Sequence, residues 1–142
     1  MAGEILSNVT VVLGSITIPA NGVKSVAVNY NPEVKDNTGM GHTAKSRKVG
    51  LQDWSLDIEI FQDYADDQLD EDLYAILAGD CDVGAIDIGP TGEAAAASHP
   101  HYESTAGYLD GYSPVAAGAV GDLAVAKIKI LAMGAELTRE IA

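Results

Sequence analysis

The 142-residue chain has one cysteine, one tryptophan and one phenylalanine, and between Lys48 and Lys127 it has neither lysine nor arginine. A single Cys81 excludes an intrachain disulfide, which suits a reducing cytoplasm. No motif places a base near it, so it reads as a small hydrophobe rather than a nucleophile. The shortage of cations argues against ordinary nucleic-acid binding, because the grip on a duplex comes from lysine and arginine displacing counterions from phosphates. Eight basic residues against 21 acidic ones leave a formal charge of −13. No apolar run reaches the ~18 residues of a membrane-spanning helix, and no membrane partner is expected. The opening MAGEILSNVTVV has no basic stretch ahead of its apolar residues, so no signal peptide is expected. Also missing are a Gly-x-Ser-x-Gly elbow, a phosphate loop and a dinucleotide fingerprint. The expectation is a chain with no catalytic residues and no cofactor.

What is present is the patterning of a sheet. An apolar fraction of 47% fits a folded chain of one domain spanning residues 1–142. Val9–Leu13 and Ser15–Ile18 are β-branched runs ended by Pro19 and Asn21-Gly22. In Lys24–Tyr30 the residues Val26, Val28 and Tyr30 alternate with Ser25 and Asn29. The clearest strand is Asp53–Phe61, where Trp54, Leu56, Ile58 and Ile60 point one way and Asp53, Ser55, Asp57 and Glu59 the other. A period of two this regular marks a sheet with one wet and one dry face. Val83–Ile88, Leu123–Leu131 and Glu136–Ile141 are further strands by the same reasoning. One segment has helical spacing: Leu69, Leu73, Ile76 and Leu77 form an apolar stripe over Gln68–Ala78. Asp66 or Asp67 suits its N-cap, Asp70, Glu71 and Asp72 its positive end, and Gly79 its C′ position. Asn31–Gly41 and Gly89–Thr105 lack periodicity and are expected as long loops.

Few side chains invite chemistry. The acidic run from Asp63 to Asp72 lacks the glycine and spacing of a calcium loop and fits a helix start instead. His99 and His101 offer two imidazoles, but the sequence shows no third ligand at a useful distance, so no metal is expected. Asp57 and Glu59 could serve as a carboxylate pair, yet on a strand face they are better understood as solvated. Lys45, Arg47 and Lys48 are the one basic cluster. In so acidic a chain they suit an acidic surface on a neighbouring copy.

The run GHTAKSRKVGLQDWSLDIEIFQDY, followed by QLDEDLYAILAG, resembles the tail tube (major tail) proteins of long-tailed bacteriophages and related phage-like particles. The resemblance rests on Gly50, Leu51, Asp53, Trp54, Ser55, Leu56, Phe61, Gln62 and Asp63, then Asp70, Leu73 and Leu77. A second block follows: HPHY, GYLDGYSPVAAGAVGDLAVAKIKI and Leu137-Thr138-Arg139. His99-Pro100-His101-Tyr102 departs at its first position from the Asn-Pro-x-Tyr found in many such proteins.

The resemblance implies a mainly β, sandwich- or barrel-like subunit with one flanking helix, residing in the virion tail after assembly in the host cytoplasm. Six copies close into a ring, and rings stack into a tube that meets other tail proteins. On this resemblance each copy lends four strands to an inner, acidic-lined barrel through which DNA passes without specific binding. It also implies that Asp57 and Glu59 face the lumen, and that Asn31–Gly41 is mobile until it orders against the adjacent ring. The competing reading is a monomeric acidic β-sandwich module that binds carbohydrate or protein.

Overall fold

The structure, a computed structural model, describes residues 8–14, 16–18, 20–62, 69–117 and 119–141. Along it run β1 (Thr10–Leu13), β2 (Ile16–Ile18), β3 (Val23–Tyr30), β4 (Val34–Asp36), β5 (Arg47–Val49) and β6 (Trp54–Phe61). Then come α1 (Leu69–Ala78), β7 (Ile86–Gly89), β8 (His101–Ser104), β9 (Gly107–Ala117), β10 (Val125–Ala132) and β11 (Thr138–Glu140). The strands form a five-stranded sheet in the order β11-β8-β7-β1-β2, a four-stranded sheet in the order β3-β6-β10-β9, and a two-stranded ribbon of β4 and β5. The architecture is the mainly β one, with a single flanking helix, that the patterning predicts.

The two larger sheets close face to face on one apolar core. The five-stranded sheet contributes Val11, Leu13, Ile16, Ile18, Ile86 and Ile88; the four-stranded sheet contributes Trp54, Leu56, Ile58, Ile60, Leu109, Ile128 and Ile130. Alternation decides this arrangement, since successive side chains of a strand point to opposite faces. In β6 the four apolar residues are buried while Asp57 is exposed and Ser55 and Glu59 are half-exposed. Gly107 opens β9 where the sheets meet: a Cβ there would lie 2.4 Å from Ile86 Cδ1.

Four strands escape the sequence patterning. β4 and β5 are wholly exposed and have no dry face to betray them. β4 and β8 lie inside the two segments expected as loops, and in β8 the buried positions are His101 and Ser104. β9 contains Gly111 and Pro114, which argue against a strand, but as a terminal strand of its sheet it tolerates a residue with no N–H to donate.

The helix occupies its predicted place from Leu69 onward, while Gln68, the candidate caps Asp66 and Asp67, and the side chain of Leu69 lie outside the described residues. Leu73 is fully buried and Ile76 is half-buried against the core. Leu77 departs from the prediction: it is 37% exposed, at the margin of the stripe. The residue in left-handed conformation after the helix is Cys81, at φ 62°, rather than Gly79. The Gly79 N–H still donates to the carbonyls of Ala75 and Ile76, so the chain leaves the helix later than glycine alone suggests. Leu73→Ala is expected to cost about 2–5 kcal/mol in urea unfolding. Leu77→Ala should cost under about 1 kcal/mol; equal losses at the two positions would contradict this packing.

Candidate assembly interface

The four-stranded sheet has two terminal strands, β3 and β9, with no partner on their outer sides among the described residues. Unpaired strand edges present rows of N–H and C=O groups and tend to recruit further strands. Between them lies the wet face of the sheet. On it Asp57 stands opposite Lys129 and Glu59 opposite Lys127 across the β6–β10 pair. Lys127 Nζ lies 3.5 Å from Glu59 Oε1, and Asn29 Nδ2 donates to Asp57 Oδ2 at 3.3 Å. Two carboxylates and two ammonium groups therefore cancel at the centre of this face. The sequence expectation of an acidic face is corrected here to a mixed one, because β10 lies beside β6 and its lysines share the alternation of the acids.

β3 runs on into β4, and β5 into β6, as a single antiparallel ribbon. The Asn31 N–H donates to the Asp53 carbonyl at 2.6 Å, and the Glu33 N–H to that of Leu51 at 2.9 Å. Its tip is held locally: the Ser46 N–H donates to Thr38 Oγ1 at 2.7 Å and the Thr38 N–H to Asp36 Oδ1 at 2.9 Å. That last bond holds the Asp36 carboxyl below its usual range, and the ion pair with Lys35 does the same for Glu33. The ribbon projects from the sandwich, with Val34, Val49 and Leu51 exposed and Met40 wholly so at 105%. Asn31–Gly41, expected as an irregular loop, is thus half of a paired ribbon.

Lys45, Arg47 and Lys48 all belong to this ribbon and are exposed, and no ion pair joins them to any described residue. Arg47 and Lys48 are neighbours on β5 and point to opposite faces, with Asp36 and Lys35 as their cross-strand partners. They are a basic band around the ribbon rather than one patch.

Three side chains staple the ribbon's base to the C-terminal segment. Trp54 Nε1 donates to the Ala135 carbonyl at 2.9 Å, and Tyr30 Oη to that of Leu137 at 3.0 Å. Gln52 Oε1 accepts from the Leu137 N–H at 2.9 Å. At the opposite end of the sheet, the Gln62 N–H donates to the Ala124 carbonyl at 2.9 Å. There Tyr112 Oη donates to Asp70 Oδ1 at 2.5 Å. That end exposes Val115, Val120 and Leu123 beside Asp122 and the acidic helix start. Apolar residues and opposite charges therefore sit at the two ends of one molecule.

A second polar group lies on the outer face of the five-stranded sheet. His101 is buried and packs over Gly89, with Nδ1 at 2.7 Å from Asp87 Oδ1 and Nε2 at 2.6 Å from the Glu93 carbonyl. The Glu93 carbonyl and then Asp87 and Glu103 raise its pKa above the ordinary value, against the opposing effect of burial. His99, on the other side of Pro100, contributes nothing to this group; its Nδ1 is buried and has no hydrogen-bond partner among the described residues. The companions of His101 come instead from Asp87 and Glu103, which sequence spacing does not bring together.

No protein-family model and no curated protein matches the sequence. Solved structures match over almost its whole length. A chain of the native gene transfer agent virion superposes with a TM-score of 0.66 at 14% identity, covering 96% of this chain and 99% of that one. A chain of the structure of an extracellular contractile injection system's sheath/tube terminator gives 0.66 at 14% identity, covering 97% of this chain and 98% of that one. The SPP1 tail tube gives 0.63 at 10% identity, covering 99% of this chain and 81% of that one. With identities this low, it is the fold that is shared: this chain has the same fold as these chains of virion, injection-system and tail tube structures.

Proposed function

We propose that this chain is a non-enzymatic structural subunit of the tail of a phage or phage-like particle, built as a single tail tube domain. In this reading six copies close into a ring and rings stack into a tube, alongside other tail proteins, in the virion. The observation that carries it is the four-stranded sheet whose two terminal strands are unpaired on their outer sides among the described residues, set in a fold shared with the SPP1 tail tube.

Pairing β9 of one copy with β3 of the next removes both open edges. Six four-stranded sheets make a barrel of about 24 strands, with a circumference of about 150 Å at ~4.8 Å spacing and ~40° tilt. The backbone diameter is then about 48 Å, and roughly 5 Å of side chain on each wall leaves a bore near 38 Å. A duplex passes through such a bore. Asp57 and Glu59 line it in this arrangement, each opposite a lysine, so the wall is a lattice of both signs with no continuous band of cation to hold phosphate.

Stacking is served by the ribbon. Its apolar residues and the basic band of Lys45, Arg47 and Lys48 meet the far end of a copy in the next ring, where Val115, Val120, Leu123 and the acidic helix start are displayed. Negative-stain microscopy of the purified protein tests the assembly: rings or filaments are expected. A binding module would instead sediment as a monomer near 14.7 kDa, and that result at high concentration would sink the proposal. The lumen assignment has its own test. Asp57→Lys with Glu59→Lys leaves four lysines and no acid at the centre of the face, so tubes form but DNA leaves particles more slowly. Unchanged ejection kinetics would place these side chains off the path.

A further inference from the structure

Asp87 on β7 and Glu103 on β8 stand directly opposite each other, a like-charge arrangement that destabilises a sheet unless a cation offsets it. On β11, Glu140 stands opposite His101. Two carboxylates from adjacent strands thus flank one imidazole, and a third, Glu140, holds the cross-strand position on β11, where its Oε1 accepts from Thr138 Oγ1 at 3.0 Å. The donor atoms of Asp87, His101 and Glu103 all lie within 4.8 Å of one another.

The imidazole is held as metal-binding imidazoles are held. Its Nε2 meets the Glu93 carbonyl, which can only accept, so Nε2 carries a proton and the ring is fixed with Nδ1 turned to the carboxylates. That anchor is a backbone group outside the donor set. Gly89 leaves room for the ring, since a Cβ there would lie 2.8 Å from His101 Cε1. A groove of about 710 Å³ opens over the carboxylates, bordered by Val12, Asp87, Glu103, Thr138 and Glu140, and gives a hydrated ion a way in.

We propose that Asp87, His101 and Glu103 bind one divalent transition-metal ion, of which zinc is the type, with Glu140 or water as the fourth ligand. An imidazole nitrogen among oxygens favours zinc over magnesium or calcium. Tetrahedral zinc holds nitrogen at about 2.0–2.1 Å and carboxylate oxygen at about 2.0–2.2 Å, which sets the two roughly 3.3 Å apart. Nδ1 and Asp87 Oδ1 now stand at 2.7 Å. Asp87, whose side chain is 34% exposed, swings back by roughly 0.6 Å to admit the ion. Any proton on Nδ1 leaves to solvent as the metal binds. The ion then ties β7 to β8, and through Glu140 to the terminal strand β11.

The test is calorimetric titration of EDTA-treated protein with zinc chloride at pH 8, beside thermal unfolding. One ion per chain is expected, with a Tm that rises with zinc concentration and no response to magnesium chloride. Glu103→Gln, which leaves the His101–Glu93 bond intact, weakens binding by about tenfold or more, and His101→Ala removes it. Absence of zinc heat and of a Tm shift overturns the proposal. So does equal zinc binding by both variants, which would assign the ion to other surface acids. So does nitrogen NMR showing both His101 ring nitrogens still protonated in excess zinc, which would leave a proton as the cation between the carboxylates.

Discussion

Trp54→Ala is expected to destabilise the isolated subunit by about 3–5 kcal/mol, a large part of the stability of a domain of this size. Trp54 is fully buried at the start of β6. Its loss removes the largest side chain of the core and leaves a cavity between the two sheets. It also strips the Ala135 carbonyl of its donor, since Trp54 Nε1 reaches that oxygen at 2.9 Å. Trp54→Phe separates the two effects. It keeps most of the apolar volume but loses the hydrogen bond, so it should cost less than the alanine variant yet still free the segment around Ala135. Urea unfolding gives the totals, and amide exchange of residues 135–137 reports the staple. A phenylalanine variant as unstable as the alanine one would mean that the hydrogen bond, not the volume, matters most.

Arg47→Glu together with Lys48→Glu is expected to abolish long tubes while leaving the unfolding midpoint of the subunit unchanged. Both residues are exposed on β5 and without an ionic partner among the described residues; Arg47→Glu sets a like charge opposite Asp36 while Lys48→Glu sets an opposite charge across from Lys35, so the two changes offset each other in the folded monomer. Between copies the effect is large. A loss of about 1.4 kcal/mol at one contact lowers its association constant about tenfold, and a tube repeats that loss at every junction. Amide exchange adds a second readout: residues 34–49 should gain protection in tubes of the unaltered protein, because in the proposed stacking the ribbon lies against the adjacent ring. Normal tube lengths in the double variant, or equal exchange in free and assembled protein, would reduce the basic band to a solvated surface.

Features set by neighbouring residues were legible in the sequence. The alternation of Trp54, Leu56, Ile58 and Ile60 with Asp57 and Glu59 gave β6 and both of its faces, and Leu73 marked the buried side of α1. Features set by pairing across the fold were not. That Lys129 faces Asp57 depends on β10 lying beside β6, and no local pattern states which strands are neighbours. The group around His101 is assembled from two antiparallel strands joined by a long connection, so His99, its neighbour in sequence, was the misleading companion. β9 was hidden because Gly111 and Pro114 break the local rule for strands, and only its place at the end of a sheet makes them acceptable. The ribbon was hidden because β4 and β5 have no buried face.

The staple at the ribbon's base has a mechanical consequence. Trp54, Gln52 and Tyr30 bind the backbone at Ala135 and Leu137, just before β11, the outermost strand of the five-stranded sheet. Tension applied to the ribbon therefore does not stop at β3 and β6. It passes through three hydrogen bonds into the other layer of the sandwich, so the two sheets resist shear as one body. In a bending tube the load between rings would be spread through the full thickness of the wall, and cutting the staple would yield tubes that still assemble but flex more readily.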